Sequence, residues 1–186
     1  SDTVPAVKAA DSFDSVGHDD RPLGEPLFAL PSSLGSVADD AGMSEIGLTP
    51  ELLQVAARYP AIGAVAALAE AVGDQPERAE ALCRTVGRSK RATYHDGALA
   101  LLSVGVAAAR TDRPTAAIEA VEGARAQVAP TGDRLLGAIV ALGAAEIATS
   151  VGDDRAEAWA RSADLAWEDL AVKPKGWRRL WRRVLP

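Results

Sequence analysis

The chain has 186 residues, a formal charge of −6 and an apolar fraction of 48%, with only two Phe and two Tyr. That length suits one domain burying about 70% of its extended surface, in a core built from Ala, Val and Leu rather than aromatic rings. Ala and Leu favour helix, and the β-branched and aromatic alternation of strands is missing, so strand-rich folds are excluded and an all-α fold is predicted.

The single Cys83 excludes an internal disulfide and a cysteine-based zinc site and suits a reducing compartment. No charged start, apolar stretch and small-residue cleavage site opens the sequence, and the predicted location is cytoplasmic. The longest apolar runs, 61 to 69 and 98 to 109, fall short of the roughly 20 residues that span a bilayer. Asn is absent and Arg outnumbers Lys by 16 to 4, a usage typical of GC-rich bacterial genomes from which no function follows. Charge is unevenly spread. Residues 173 to 186 hold six basic groups and no acid, leaving −12 on the rest.

Residues 1 to 44 hold Pro5, Pro22, Pro26 and Pro31 among many Ser, Gly and Asp, the composition of a disordered or wrapping arm. Within it Leu23, Leu27, Phe28, Leu30 and Leu34 form an apolar cluster suited to docking on the domain or on a partner. A helical-repeat domain is predicted over 45 to 172. Thr49, Pro50 and Glu51 read as N-cap, first helical position and dipole-complementing acid, opening a short helix that ends at Pro60. A second helix is expected over 61 to 72 with Gly73 as its left-handed stop, and a third from Pro76. Thr93 to Arg110 and Pro114 to Val128 make the next pair. The last pair starts near Thr131, turns at Gly152 and Asp153, and continues behind a capping box of Asp154 and Glu157. Such short connections predict antiparallel neighbours.

Aligning the turns brings Asp74, Asp112 and Asp153 together, 38 and 41 residues apart. Ala79, Ala117 and Ala158 follow at five residues, and Val86, Ala124 and Leu165 at twelve, on one helical face. In the hairpin from Leu101 to Pro130, Leu101, Val104, Gly105, Ala108, Ala117, Val121, Ala124 and Pro130 resemble the packing positions of the tetratricopeptide repeat family. The resemblance covers roughly 61 to 170, with a longer period than the family's 34 and with Leu, Ala and Val at its large aromatic positions. It implies helix pairs stacked as a short solenoid whose concave face holds peptides or proteins. An irregular antiparallel bundle is the alternative.

Catalytic signals are sparse. His95 and Asp96 adjoin in sequence, but consecutive helical residues point apart. His18 has only Asp19 and Asp20 beside it, too few ligands for a firm metal site. Cys83 follows Ala79 by one turn and reads as a small core hydrophobe. No phosphate-binding glycine loop or nucleophile elbow occurs, so no enzyme, cofactor or metal is predicted. Arg84, Arg88, Lys90 and Arg91 form a basic turn suited to an acidic peptide or phosphate, or simply to solvent.

The C-terminal segment carries the sharpest pattern. Trp177, Leu180, Trp181 and Val184 recur at helical spacing, with Arg178, Arg179, Arg182 and Arg183 on the other side. Such a helix fits an anionic membrane surface, a groove on a partner protein, or the end of a repeat array whose last apolar face it caps. The expected function is therefore non-catalytic protein binding, as an adaptor or assembly factor. A ligand-sensing helical domain of a larger transcription regulator is the alternative, and a small helical enzyme the third reading. Nucleic acid is not expected as a partner, because the body is acidic and phosphate binding needs clustered cations.

Overall fold

The computed structural model describes residues 27–30, 47–171 and 176–185. The remainder of the 1 to 44 arm, including Leu23, Leu34 and His18, lies outside the described residues, as do the side chains of Trp177, Arg178 and Leu180. Among the described residues the secondary structure is entirely helical: α1 (Pro50–Arg58), α2 (Pro60–Val72), α3 (Pro76–Arg88), α4 (Tyr94–Arg110), α5 (Pro114–Val128), α6 (Arg134–Ser150), α7 (Ala156–Glu168) and α8 (Trp177–Val184), with a 3₁₀ turn at Ala129–Thr131.

The helix starts follow local chemistry. Thr49 Oγ1 accepts the Leu52 N–H at 3.3 Å, and proline occupies the first turn of α1, α2, α3 and α5, where a missing N–H costs nothing. The Asp96 carboxylate accepts both the backbone N–H and the hydroxyl of Thr93 at the start of α4. Helix α6 begins at Arg134 rather than near Thr131. The 3₁₀ turn consumes that stretch, and Asp133 caps the helix by accepting the Leu136 N–H at 2.9 Å.

The turns differ from expectation in one respect that shifts the repeat register. The left-handed residue after α2 is Asp74 (φ 58°), not Gly73, and its counterparts are Asp112 (φ 54°) and Gly152 (φ 69°). In each turn the following N–H reaches back six-to-one at 2.9 Å, from Gln75 to Glu70, Arg113 to Ala108 and Asp153 to Ala148, closing the helix end. Asp is among the few side chains that tolerate this backbone. The left-handed turn residues are thus 38 and then 40 residues apart, and Asp153 falls one place beyond its supposed equivalents.

The offset explains two further corrections. Ala79 and Ala117 are fully buried, as are Val86 and Ala124, but Ala158 is exposed and Leu165 is 69% exposed. The buried face of α7 runs instead through Ala163, flanked by half-buried Trp159, Ala160 and Trp167. The capping box at the start of α7 is also absent. Asp154 projects into solvent, Arg155 occupies the cap, and Asp153 accepts the Arg155 N–H at 3.0 Å.

Consecutive helices from α1 to α7 pack against one another, and α4 additionally touches α2 and α6, while α8 lies on α6. Every residue of α4 from Ala100 to Ala109 is buried. Close approach depends on missing side chains. A Cβ on Gly105 would fall 3.0 Å from Val121 and 3.1 Å from Ile147, and one on Gly63 2.8 Å from Val86. Charged side chains join segments distant in sequence: Arg113 pairs with the buried Glu80 at 2.5 Å, and Arg155 pairs with Glu122, each across 33 residues.

Ala117→Asp would place an unpaired charge in the α4 and α5 contact and is expected to cost roughly 3 to 5 kcal/mol in urea unfolding. Ala158→Asp, at the sequence-equivalent but exposed position, is expected to stay within about 0.5 kcal/mol of wild type.

Candidate partner-binding surfaces

Helix α2 is apolar apart from Glu70, which pairs with Arg78 at 2.8 Å, but buries only one side. Gly63, Ala64, Ala67 and Ala71 face the core, whereas Ile62 (53% exposed), Val65 (59%) and Val72 form a stripe in solvent. Val55 and Tyr59 on the preceding segment are exposed as well. Large side chains gain most from burial, so placing Ile and Val outside and Ala inside leaves an unspent apolar face. The sequence held the signal, since a helix without a polar side cannot be an ordinary surface helix.

The C-terminal helix presents its described tryptophan inward. Trp181 is 3% exposed, and its ring fills a notch over Gly143, where a Cβ would approach Cζ2 to 2.8 Å, and lies beside Leu102. Glycine within a helix costs about 1 kcal/mol relative to alanine, and here the absent side chain is what admits the indole. Arg110 Nη1 donates to the Val184 carbonyl at 2.9 Å while its Nε donates to Asp74 at 2.7 Å. One guanidinium thereby joins the end of α8 to the turn just past Val72. Arg182 stands 3.7 Å from Glu146, and Arg179 and Arg183 are exposed. Among the described residues the buried indole Nε1 has no hydrogen-bond partner, and an unsatisfied buried donor costs about 1 to 3 kcal/mol. Trp181 thus caps apolar surface of α4 and α6 in this arrangement, and its ring is not offered to a membrane or a partner.

The described part of the arm cluster, Leu27, Phe28 and Leu30, docks on the chain's own domain. The Leu27 N–H donates to the Gly87 carbonyl at 2.7 Å, Gln127 Nε2 donates to the Leu27 carbonyl at 3.1 Å, and the Phe28 ring lies over Gly87 and Gly97. Leu30 packs half-buried against the same core. In the basic turn, Arg88, Lys90 and Arg91 are exposed and Arg84 is half-buried on α3. Ser89 anchors that turn by donating to the Ala57 carbonyl at 2.7 Å and accepting the Arg91 N–H at 3.2 Å.

The titratable groups hold structure together. His95 Nε2 meets Asp133 Oδ2 at 2.9 Å, not Asp96, which is occupied at the cap. The Leu136 N–H and, less strongly, the His95 ring hold the Asp133 carboxyl below its usual range. Burial pushes the Cys83 thiol far up, so it stays protonated. Trp159 is flanked by the guanidinium groups of Arg125 and Arg155, 4.7 and 5.1 Å from its ring centre. An open cleft of about 360 Å³ lies where α5, α6 and α7 meet, but Arg134 and Asp169 in its wall pair with each other at 3.3 Å. Among the described residues no group of three or more His, Cys, Asp or Glu is arranged to hold a metal ion, and no helix is long and apolar enough to cross a membrane.

Comparison of the chain with family models, curated proteins and solved structures finds no match.

Asp153 offers a pH test. Side-chain and backbone hydrogen bonds from Arg155 lower its carboxyl from 3.8 to about 2. Because the folded value lies below the unfolded one, the stability it contributes is present above about pH 4 and is lost as pH falls toward 2. Urea unfolding of wild type and Asp153→Asn is expected to differ most near pH 6 and to converge near pH 2.

Proposed function

We propose that the chain is a non-catalytic interaction module, built on three degenerate tetratricopeptide-like hairpins (α2 with α3, α4 with α5, α6 with α7), that binds a protein or peptide partner. The observation that carries this reading is the exposed stripe of Ile62, Val65 and Val72 on a helix whose opposite face is core. Contiguous exposed apolar surface marks interaction sites more often than it serves a monomer.

The stacked arrangement is supported by the pattern of neighbours. The first helices of successive pairs touch, as α2 with α4 and α4 with α6, and each second helix touches the first helix of the next pair. Repeat arrays are defined by such nearest-neighbour contacts. The Arg113 to Glu80 and Arg155 to Glu122 pairs recur at the same sequence separation, consistent with one unit laid on the next. A catalytic reading has less behind it. The His95 and Asp133 contact lies at a helix start with both groups engaged, and the lone thiol is buried and protonated.

The test is capture with the intact chain, comparing wild type with Ile62→Asp and Val65→Asp together. Both positions are exposed, so circular dichroism and melting temperature are expected to hold within the range of surface changes. Proteins retained by wild type in pull-down and mass spectrometry are expected to be lost from the double variant. An identical set of retained proteins would rule out this face as the binding surface.

A further inference from the structure

Solvent-facing residues recur along α2 in a fixed order. After Ala61 the exposed positions are Ile62, Val65, Ala69 and Val72, at steps of three, four and three. That is the a and d spacing of a coiled-coil seam. Gly63, Ala64, Ala67 and Ala71 are spent on the core along the opposite side, so one helix carries a filled seam and a second, open one. The one acid of α2, Glu70, is half-buried and pairs with Arg78 at 2.8 Å. The open seam itself holds no charged or hydrogen-bonding side chain, and what matches it is another apolar helix edge rather than a charged peptide.

The two ends of the seam differ in charge. Before it stands Arg58, exposed, with its guanidinium 5.4 Å from the Tyr59 ring centre. After it stand Asp74 and Glu77, both exposed, of which Asp74 is already paired with Arg110 at 2.6 Å. A surface with one cationic end and one acidic end complements itself when a second copy lies across it antiparallel. A two-fold axis between Val65 and Ala69 brings each Arg58 end to the other chain's Glu77 end, whereas parallel pairing sets like charge on like charge. Size agrees as well. The antiparallel register puts Ile62 opposite the second copy's Val72, and Val65 opposite its Ala69, so at the centre each branched side chain meets the smallest one on the seam. A foreign helix would need the same apolar spacing and the same end charges in reverse, and α2 itself has both.

We propose that the open seam of α2 is the contact of an antiparallel homodimer, and that its occupant is α2 of a second copy of this chain. The inference rests on the reading of this stripe as a binding face and names what binds there. With 13 residues, α2 is about 20 Å long, so by itself it makes a contact at the small end of specific interfaces, below roughly 1,200 Å² in total. The dimer is accordingly reversible and set by protein concentration.

Sedimentation equilibrium of the intact chain, from low to high micromolar, is expected to show monomer and dimer exchanging with concentration. Val65→Asp sets two carboxylates near the two-fold axis and is expected to weaken association at least about tenfold. Its circular dichroism and melting temperature are expected to match wild type, because position 65 is exposed. Should that variant fail to fold, Ala69→Glu, at the exposed position facing Val65 of the second copy, is read in its place with the same expectation. Direction is read from charge. Arg58→Glu and Glu77→Arg are each expected to weaken the dimer about threefold to tenfold at low salt and less at high salt, and the chain carrying both is expected to regain wild-type association.

A chain that sediments as a monomer throughout overturns the proposal, as does a dimer indifferent to both seam variants. Charge reversals without effect, or without recovery when combined, overturn it too, since the antiparallel arrangement requires both. A monomer whose captured proteins are lost on Ile62→Asp and Val65→Asp has a foreign partner on this face, which removes the inference and leaves the module reading. A dimer lost on Val65→Asp, with other captured proteins retained by the double variant, does the reverse. A monomer whose capture is also unchanged removes both.

Discussion

A helix buried on all sides needs neighbours on all sides, and α4 imposes that requirement here. From Ala100 to Ala109 every residue is buried, and its only hydroxyl in that span, on Ser103, returns to the Leu99 carbonyl at 2.8 Å. Its side chains are small, so the energy of burial comes from proximity rather than from large apolar groups. Gly105 lets Val121 and Ile147 approach from two neighbouring helices at once. Hence α5 and α6 are positioned by what α4 lacks.

The neighbours along the chain do not close α4 completely, and the two end segments complete the enclosure. Leu27 and Phe28 cover the joint where α3 ends and α4 begins, at Gly87 and Gly97. Trp181 and Leu102 both close on Gly143 of α6. In a protein with four tryptophans and two phenylalanines, two of these scarce rings are placed where helices of alanine and glycine leave room. An added ring covers each place, with glycine as the receiving surface.

Much of this was legible in the sequence because helix ends are local events. Proline at the first turn, Thr49, Thr93 and the Asp-containing turns fixed most boundaries to within a residue or two. The third hairpin was misread because an aspartate was aligned with an aspartate, whereas the backbone aligns Asp74 and Asp112 with Gly152. What matters there is tolerance of a left-handed conformation, a property Asp and Gly share. The Gly143 notch and the pairing of His95 with Asp133 were invisible for another reason. Both join residues 38 apart, and a contact of that span depends on how helices cross, which no local pattern encodes. The outward face of α2 lay between these extremes, since an apolar run broken only by Glu70 was readable while the direction it faces was not.

The same economy that builds the core shapes what the surface can recognise. Helices lined with Ala and Gly have shallow, closely spaced faces, and such faces discriminate poorly among apolar side chains because one methylene is worth only about 1 to 3 kcal/mol. Within the chain, the seating of α8 is specified by a notch that admits one bulky group, Trp181, and by charges fixed beside it. Gly143 supplies the notch, and Glu146 and Arg110 supply the charges, with Arg110 itself oriented by Asp74. Moving that guanidinium would disturb the α2 turn as well as the groove. One guanidinium thus holds the end of α8 and the turn that closes α2 in a single arrangement.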